Sequence, residues 1–259
     1  MKIKSKITGF LLFILLILGV FYFSFFSVNE VKDKIEIIKL TGNNYLSQEQ
    51  YFRFAKLNNP VQYKYLTLHV IKDRLEKHPY VEQADAKFIG KNLVSVSLTE
   101  KKIEAVMVYN KEQFFITDDY KLLPVFSYTK NVDLPVIANP QLKKKPKELS
   151  VLVDEDIKTA IRMIETTKIV DNSIFQSLTE INMRYGKDIL LSFREFNFPI
   201  IIGRGNETAK LIHFGTIWNK INKNKETVDS MINYVDLRFN KLIYIGTAES
   251  KPETKGNQG

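Results

Sequence analysis

Residues able to do acid–base, nucleophilic or metal chemistry are few and scattered in this sequence. The chain contains three histidines, His69, His78 and His213, and no cysteine. The histidines do not have the His-Glu-x-x-His spacing, so a zinc site would need ligands from distant parts of the chain. A Gly-x-Ser-x-Gly nucleophile motif is also absent. We therefore predict a protein that is not an enzyme and has no cofactor and no metal site.

Two kinds of short stretch have the residue types of ligand sites but lack the spacing that such sites need. Residues 203–208 read Gly-Arg-Gly-Asn-Glu-Thr, without the Gly-Lys-Thr or Gly-Lys-Ser ending whose lysine reaches nucleotide phosphates. We interpret them as a strand-to-helix turn. The acidic residues 118–119 and 154–156 do not alternate as the oxygen ligands of a calcium loop do. We place the first pair in a turn and the second group at the start of a helix, where negative charge is favourable.

The residues most typical of a binding surface lie near the C-terminus. The stretch 234–239 reads Tyr-Val-Asp-Leu-Arg-Phe, which predicts a strand with an apolar packed face and with Tyr234, Asp236 and Arg238 on the other face. Asp236 and Arg238 are neighbours on that face, so they pair with each other, with an adjacent strand or with a partner. The last predicted strand, 242–245, either lies open at a sheet edge or is covered by the rest of the chain.

The N-terminus predicts where the rest of the chain works. Lys2, Lys4 and Lys6 precede an apolar run over residues 7–28, whose length of about 33 Å matches the hydrocarbon core of a bilayer. The alternative, a cleaved secretory signal, has an apolar region of only about 7–15 residues and a small-residue cleavage site. We predict a single transmembrane helix over 7–28, with residues 1–6 in the cytoplasm and the bulk of the chain outside the cell (inner) membrane.

The chain is basic, and a basic surface can attract anionic partners. The formal net charge is +9 and no disulfide is possible. Nucleic acid is not an expected ligand, because the predicted span puts most of the chain on the wrong side of the membrane. The basic surface either attracts anionic lipid or an acidic partner, or serves solubility alone. The same two alternatives hold for the lysine-rich run 143–147, which either contacts anionic headgroups or is a solvated loop.

Residues 29–104 predict a small α+β domain. Their hydrophobic pattern changes from a strand to two helices and then to two alternating strands, in the order β-α-α-β-β. Three strands with two helices on one face make a complete small domain. The pattern places these elements near residues 35–40, 47–57, 67–77, 84–88 and 94–98.

Residues 105–246 predict a larger β-rich domain with flanking helices. Apolar residues at helical spacing indicate helices over 155–168 and 206–222, and alternation on both sides of a glycine turn indicates a hairpin over 181–193. The polar residues 247–259 have the composition of a disordered tail. The predicted fold is therefore α+β, with a transmembrane helix, a β-α-α-β-β domain and a larger β-rich domain.

The first of these domains resembles a POTRA domain, which is the polypeptide-transport-associated module. The resemblance rests on the element order, on Gly42 after the first strand, and on the stretch 75–81, which reads Leu-Glu-Lys-His-Pro-Tyr-Val. It implies a domain that docks partner polypeptides and carries no chemistry.

The chain as a whole resembles the FtsQ/DivIB cell-division family. One predicted span, a POTRA-like domain and a β-rich domain occur in the family's order, and the most specific string is Tyr-Val-Asp-Leu-Arg-Phe at 234–239. The stretches 115–118, 134–137 and 203–218 add to the resemblance. It implies a non-catalytic scaffold of the bacterial divisome at the division septum.

The same resemblance implies partners and a binding site. The partners would be FtsB/DivIC-like and FtsL-like single-span coiled-coil proteins, bound by strand addition, with other divisome members on the POTRA-like domain. The alternative function is a membrane-anchored POTRA protein in polypeptide export or outer-membrane assembly. The implied partner-binding residues are Tyr234, Arg238, Leu242, Ile243, Tyr244 and Ile245.

Overall fold

Two β-sheets, of three and nine strands, organise the part of the chain that the structure describes. The structure is a computed structural model, and it describes residues 12–23, 34–130, 132–223, 231–239 and 242–247. Helices accompany both sheets. The prediction of an α+β protein with a β-rich part is confirmed.

The predicted transmembrane helix over residues 7–28 is wrong. The described helix at this end of the chain, α1, comprises residues 12–23. No helix within the described ranges has both the length and the apolar character needed to cross a membrane. The remaining parts of the predicted span, 7–11 and 24–28, lie outside the described residues, as do the predicted cytoplasmic residues 1–6.

The three-stranded sheet is formed by the N-terminal part of the chain. Its strand order is β1-β3-β2, with β1 parallel to β3 and β2 antiparallel to β3. The element order agrees with the expected β-α-α-β-β pattern, and a 3-10 helix is added between the two helices. The elements are β1 (Ile37–Thr41), α2 (Gln48–Phe54), the 3-10 helix η1 (Pro60–Tyr65), α3 (Leu68–Glu76), β2 (Val81–Phe88) and β3 (Leu93–Glu100).

Local sequence signals explain the boundaries of these elements. A capping box between Ser47 and Gln50 starts α2, and the Thr67 side chain caps α3. Gly42 ends β1 with a φ of +80°, and a Cβ on it would lie 2.1 Å from the carbonyl oxygen of Leu98. Only glycine fits there, because its backbone passes directly against β3.

The nine-stranded sheet contains the rest of the strands, in the order β12-β11-β10-β9-β8-β7-β4-β5-β6. It mixes antiparallel hairpins with the parallel pairs β4–β7, β7–β8 and β10–β11. Its strands are β4 (Ile103–Tyr109), β5 (Glu112–Thr117), β6 (Leu122–Pro124), β7 (Val136–Ala138), β8 (Leu178–Asn182), β9 (Leu190–Phe193), β10 (Ile200–Ile201), β11 (Ile232–Asp236) and β12 (Tyr244–Thr247).

Helices and one short 3-10 helix accompany this sheet in the described residues. Helix α4 packs against both α5 and α6, and the fully buried Trp218 of α6 donates a 2.8 Å hydrogen bond from Nε1 to Ser173 Oγ in α5. The indole ring therefore packs in the core while its N–H group keeps a hydrogen-bond partner. The helices are α4 (Glu155–Val170), α5 (Asn172–Ser177), α6 (Glu207–Lys223) and the 3-10 helix η2 (Arg184–Gly186).

The two sheets share one hydrophobic cluster at their junction. The hydroxyl of Tyr80, which precedes β2, donates a 2.8 Å hydrogen bond to the carbonyl oxygen of Pro124 in β6. The Tyr80 ring also contacts the rings of Phe115 and Phe126. Because buried aromatic contacts and backbone hydrogen bonds cross this junction, the sheets are packed as continuous protein interior. The domain boundary expected at residue 104 stays a prediction.

Candidate partner-binding edge

Strand β12 lies at one edge of the nine-stranded sheet, paired on its inner side with β11. The strand expected over 242–245 is displaced by two residues: it covers Tyr244–Thr247, and Leu242 and Ile243 precede it. The Asp236 carboxylate accepts a 2.9 Å hydrogen bond from the backbone N–H of Arg238, which forms a local turn directly after β11.

The backbone of Ile245 faces the open side of this edge. The N–H of Val235 donates to the carbonyl oxygen of Pro199, just before β10, and the N–H of Leu237 donates to that of Ile201 in β10. Because successive residues of a strand direct their backbone groups to opposite sides, the backbone groups of Tyr234 and Asp236 point to β12. Their register partners in β12 are Gly246 and Tyr244. Successive residues of a strand point in opposite directions, so the N–H and C=O of Ile245, between these partners, point outward.

The side chains along this edge are apolar and largely exposed. Leu242, Tyr244 and Ile245 are each about half exposed, whereas Ile243 is partly buried against the core of the large sheet. Tyr234 is also exposed, and its ring lies over Gly246: a Cβ on that glycine would be 2.3 Å from a ring carbon. Five of the six predicted binding residues are therefore on the surface, and Ile243 alone contributes mainly to packing.

Arg238 is held by two carboxylates of its own chain. Its guanidinium donates to Asp236, with 2.6 Å between Nη2 and Oδ2, and to Asp188, with 2.8 Å between Nη1 and Oδ2. The hydrogen bonds from Arg238 lower the pKa of the buried Asp236, and the bonds to Asp236 and then Asp188 raise the pKa of Arg238. Gly203 leaves room for this side chain, because a Cβ there would lie 2.7 Å from Arg238 Cγ. The pairing of Asp236 with Arg238 is thus intramolecular, and a partner contact by Arg238 stays a prediction.

Phe239 belongs to this edge, although its alternation with Val235 and Leu237 predicted a packed position. Val235 and Leu237 are buried, but Phe239 is half exposed and its ring contacts Tyr244 at a centroid distance of 4.8 Å. A groove of about 290 Å³ lies beside it, lined by Leu237, Phe239, Leu242 and residues of α6. The alternation of apolar residues in the sequence did not predict that Phe239 is exposed, because the turn at Asp236 ends the regular strand before this residue.

The glycine-rich stretch 203–208 is a strand-to-helix turn between β10 and α6, as predicted. Arg204 points into the protein: it pairs with the buried Asp156, with 2.7 Å between Nη1 and Oδ1, and donates to the carbonyl oxygen of Met183. Asp154 and Asp156 at the start of α4 also accept backbone N–H groups of the preceding loop. Across the described ranges, no group of three or more histidines and carboxylates is placed to hold a metal ion.

Two ionisable residues, His78 and Glu104, are buried at positions that the sequence patterns did not predict to be buried. His78 packs among the rings of Tyr51, Phe54, Tyr80 and Phe126 at the sheet junction, and burial lowers its pKa to about 4. Its Nδ1 accepts the N–H of Tyr80. The ring is therefore neutral at pH 7 and acts as an aromatic core residue.

Glu104, the second of these residues, is fully buried between two lysines. Burial acts to raise its pKa, but the hydrogen bonds from Lys102 and Lys168 outweigh burial, so the pKa is lowered. Lys168 lies on α4 and Glu104 on β4, and the ion pair therefore ties the helix to the sheet. It is a structural contact between these two elements.

Comparison with known proteins gives a weak relationship to one family. No family model matches the chain. The chain is similar to a curated relative named "Cell division protein FtsQ" from Geobacter sp. (strain M21), with 20% identity over 215 residues, which cover 82% of this chain and 75% of the relative. The relationship is therefore FtsQ-like, at low identity.

Proposed function

We propose that this chain is a non-catalytic scaffold protein of bacterial cell division that binds a partner by strand addition at β12. The observation that carries the proposal is the edge position of β12 in the sheet of the described residues, where the backbone groups of Ile245 point away from β11. A partner strand gains affinity from main-chain hydrogen bonds at such an edge, and exposed side chains beside it give selectivity. The similarity to a protein named for cell division supports the cellular role.

The proposed partners are FtsB/DivIC-like and FtsL-like coiled-coil division proteins at the division septum. Tyr244 and Ile245 would contact the added strand, with Tyr234 and Leu242 beside them, because these four side chains are exposed along the edge. Arg238 would contribute by fixing the turn that presents β12. Other division proteins would dock on the POTRA-like three-stranded unit.

The sharpest test removes one outward hydrogen-bond donor and uses a matched control for the loss of the side chain. Ile245→Pro deletes the N–H that points away from β11, and proline is tolerated at sheet edges whose N–H faces solvent. Ile245→Ala is the matched control, because it shortens the side chain but keeps the N–H. We expect Ile245→Pro to weaken co-purification of the coiled-coil division proteins about tenfold or more, and Ile245→Ala to retain most of it.

The same two variants distinguish the proposed role from its alternative. In cells depleted of the wild-type chain, we expect Ile245→Ala to restore septation and Ile245→Pro to leave filaments. Equal binding and equal rescue by both variants would refute strand addition at β12. Recovery of varied exported or barrel-type polypeptides, unchanged by Ile245→Pro, would instead favour a function in polypeptide export or outer-membrane assembly.

A further inference from the structure

The segment 147–153 lies along the opposite edge of the nine-stranded sheet and is fixed there by its backbone. Leu149 and Leu152 donate N–H groups to the carbonyl oxygens of Leu122 and Tyr120, at 2.7 and 2.9 Å, and Leu122 donates back to Ser150 at 2.9 Å. Lys121 and Val151 form an antiparallel bridge. These three backbone hydrogen bonds, two of which form the bridge, make this segment a defined surface and not a loose loop.

Alternate residues of this segment form an exposed apolar ridge. Leu149, Val151 and Val153 are 54%, 58% and 57% exposed, whereas Leu152 between them is buried in the core. The spacing of two places Val151 and Val153 on the same side of the segment, and Leu149 precedes them in a turn. Isolated exposed apolar residues need no explanation, but three within one anchored segment indicate a contact surface.

Lysines stand at both ends of this ridge. The N–H of Lys143 donates to the side chain of Asp154, which brings Lys143 next to the Val153 end. The carbonyl oxygen of Lys147 accepts from Ser150, which brings Lys147 next to the Leu149 end. Lys143, Lys144 and Lys147 are exposed, and within the described part of the chain none of them forms an ion pair with a carboxylate.

The backbone of Leu149 adds an independent observation. Its φ is +62°, in the left-handed region that costs a residue with a Cβ about 1 kcal/mol or more. Glycine would adopt this conformation without strain. A leucine in this position therefore carries a conformational cost, and that cost is explained if the exposed side chain has a use.

We propose that the ridge of Leu149, Val151 and Val153 docks on an anionic lipid surface, with Lys143, Lys144 and Lys147 on the headgroups. Lysines flanking a few exposed aliphatic side chains provide the two weak signals, apolar and electrostatic, that together give reversible binding to anionic bilayers. Three half-exposed side chains cover far less than the roughly 800 Å² per partner of a stable protein interface. The ridge therefore suits a lipid surface better than a protein partner.

The absence of cysteine allows a site-resolved test in the full chain. Val153→Cys carries a bimane label, and Ile169→Cys is the matched control, because Ile169 is an exposed apolar residue, at 85%, away from the ridge on α4. Vesicles contain doxyl-labelled phosphatidylcholine as quencher, with or without phosphatidylglycerol. We expect quenching of the label at position 153 with phosphatidylglycerol only, and no quenching at position 169.

Two further variants test the lysine charges and the Leu149 side chain separately, and the second also tests whether an effect on binding arises from lost stability. Lys143→Gln, Lys144→Gln and Lys147→Gln together are expected to raise the lipid concentration for half-quenching about a hundredfold. Leu149→Gly is expected to weaken quenching while leaving stability equal or higher, because it removes the strain together with the side chain.

Several outcomes would overturn the proposal. Equal quenching at positions 153 and 169 would show adsorption of the whole chain, and quenching without phosphatidylglycerol would show that charge is not used. No quenching in any vesicle, with protection of the label by an acidic amphipathic peptide instead, would assign the ridge to a polypeptide. None of these results bears on partner binding at β12, which the Ile245 variants test.

Discussion

The two edges of the nine-stranded sheet differ in what lies beside their outermost strands. At one edge, β6 is lined by the segment 147–153, which forms three backbone hydrogen bonds and a bridge with the chain around β6. At the other edge, β12 has β11 on one side, and no strand of the described residues lies on the other. The first edge is covered by this segment, with Pro146 and lysines nearby, and the second has no such covering segment among the described residues.

This difference indicates which edge is available to another chain. Natural sheets protect edges that are not used with short covering segments, lysines and proline, because a bare strand pairs with other strands. The residues around β6 include all three devices. The β12 edge has none of them among its described residues, and this contrast is why we assign partner binding by strand addition to β12.

The largest expected effect removes the anchor of the covering segment. Leu152→Ala deletes a buried side chain of the main core and should lower the free energy of unfolding by about 2–4 kcal/mol. It should also loosen the cover of β6 and promote self-association. Denaturant unfolding and sedimentation would measure both effects, with the exposed Ile169→Ala as a near-neutral control. An unchanged stability would contradict the view that this edge is closed.

A smaller effect concerns the turn that presents β12. Asp236→Asn removes the charge that binds Arg238 and should lower the free energy of unfolding by about 1–3 kcal/mol at pH 7. The pKa of Asp236 is lowered by folding, so its stabilisation is complete above the unfolded value near 3.9 and is lost as pH falls through the folded value. The difference between wild type and variant should therefore shrink between pH 5 and pH 2.

Urea unfolding at several pH values measures this difference. Asp188→Asn is the matched comparison, because it removes the more exposed partner of Arg238 and should cost less. A stability difference that stays constant down to pH 2 would mean that the Asp236 charge does not stabilise the turn.

The smallest expected effect sharpens the description of β12 itself. Gly246→Ala places a Cβ in the space occupied by the Tyr234 ring, and this ring is the movable end of an exposed side chain. We expect a change in stability below about 1 kcal/mol and a displaced Tyr234. A loss of partner binding similar to that of Tyr234→Ala would place the ring in the interface. Full binding by both variants would exclude Tyr234 from it.

The hydrophobic periodicity of the sequence predicted most of the helices and strands but not the order in which the strands pair in the sheet. The helix expected over 155–168 is α4, Glu155–Val170, and the hairpin expected over 181–193 is β8 and β9. The edge position of β12 depends on pairing between distant segments, such as the parallel pair of β10 and β11, which period alone does not encode.

The candidate site was predictable in place but not in detail. Tyr234, Tyr244 and Ile245 are exposed at the edge, as a displayed strand requires. The start of the strand at Tyr244 and the exposure of Phe239 depend on the hydrogen bonds between Asp236 and Arg238, a three-dimensional contact. The covering segment 147–153 was missed because its strand pairing is a single bridge and its only pattern signal is three alternating apolar residues.

The shared core at the junction of the two sheets also fixes a distance. Tyr80, Phe115 and Phe126 join the three-stranded unit to the nine-stranded sheet without a flexible linker. Two proteins bound at opposite ends of a rigid spacer meet at an effective concentration set by geometry and not by linker entropy. If partners bind as proposed, a protein on the first unit would be held at one separation and in one orientation relative to a protein on β12.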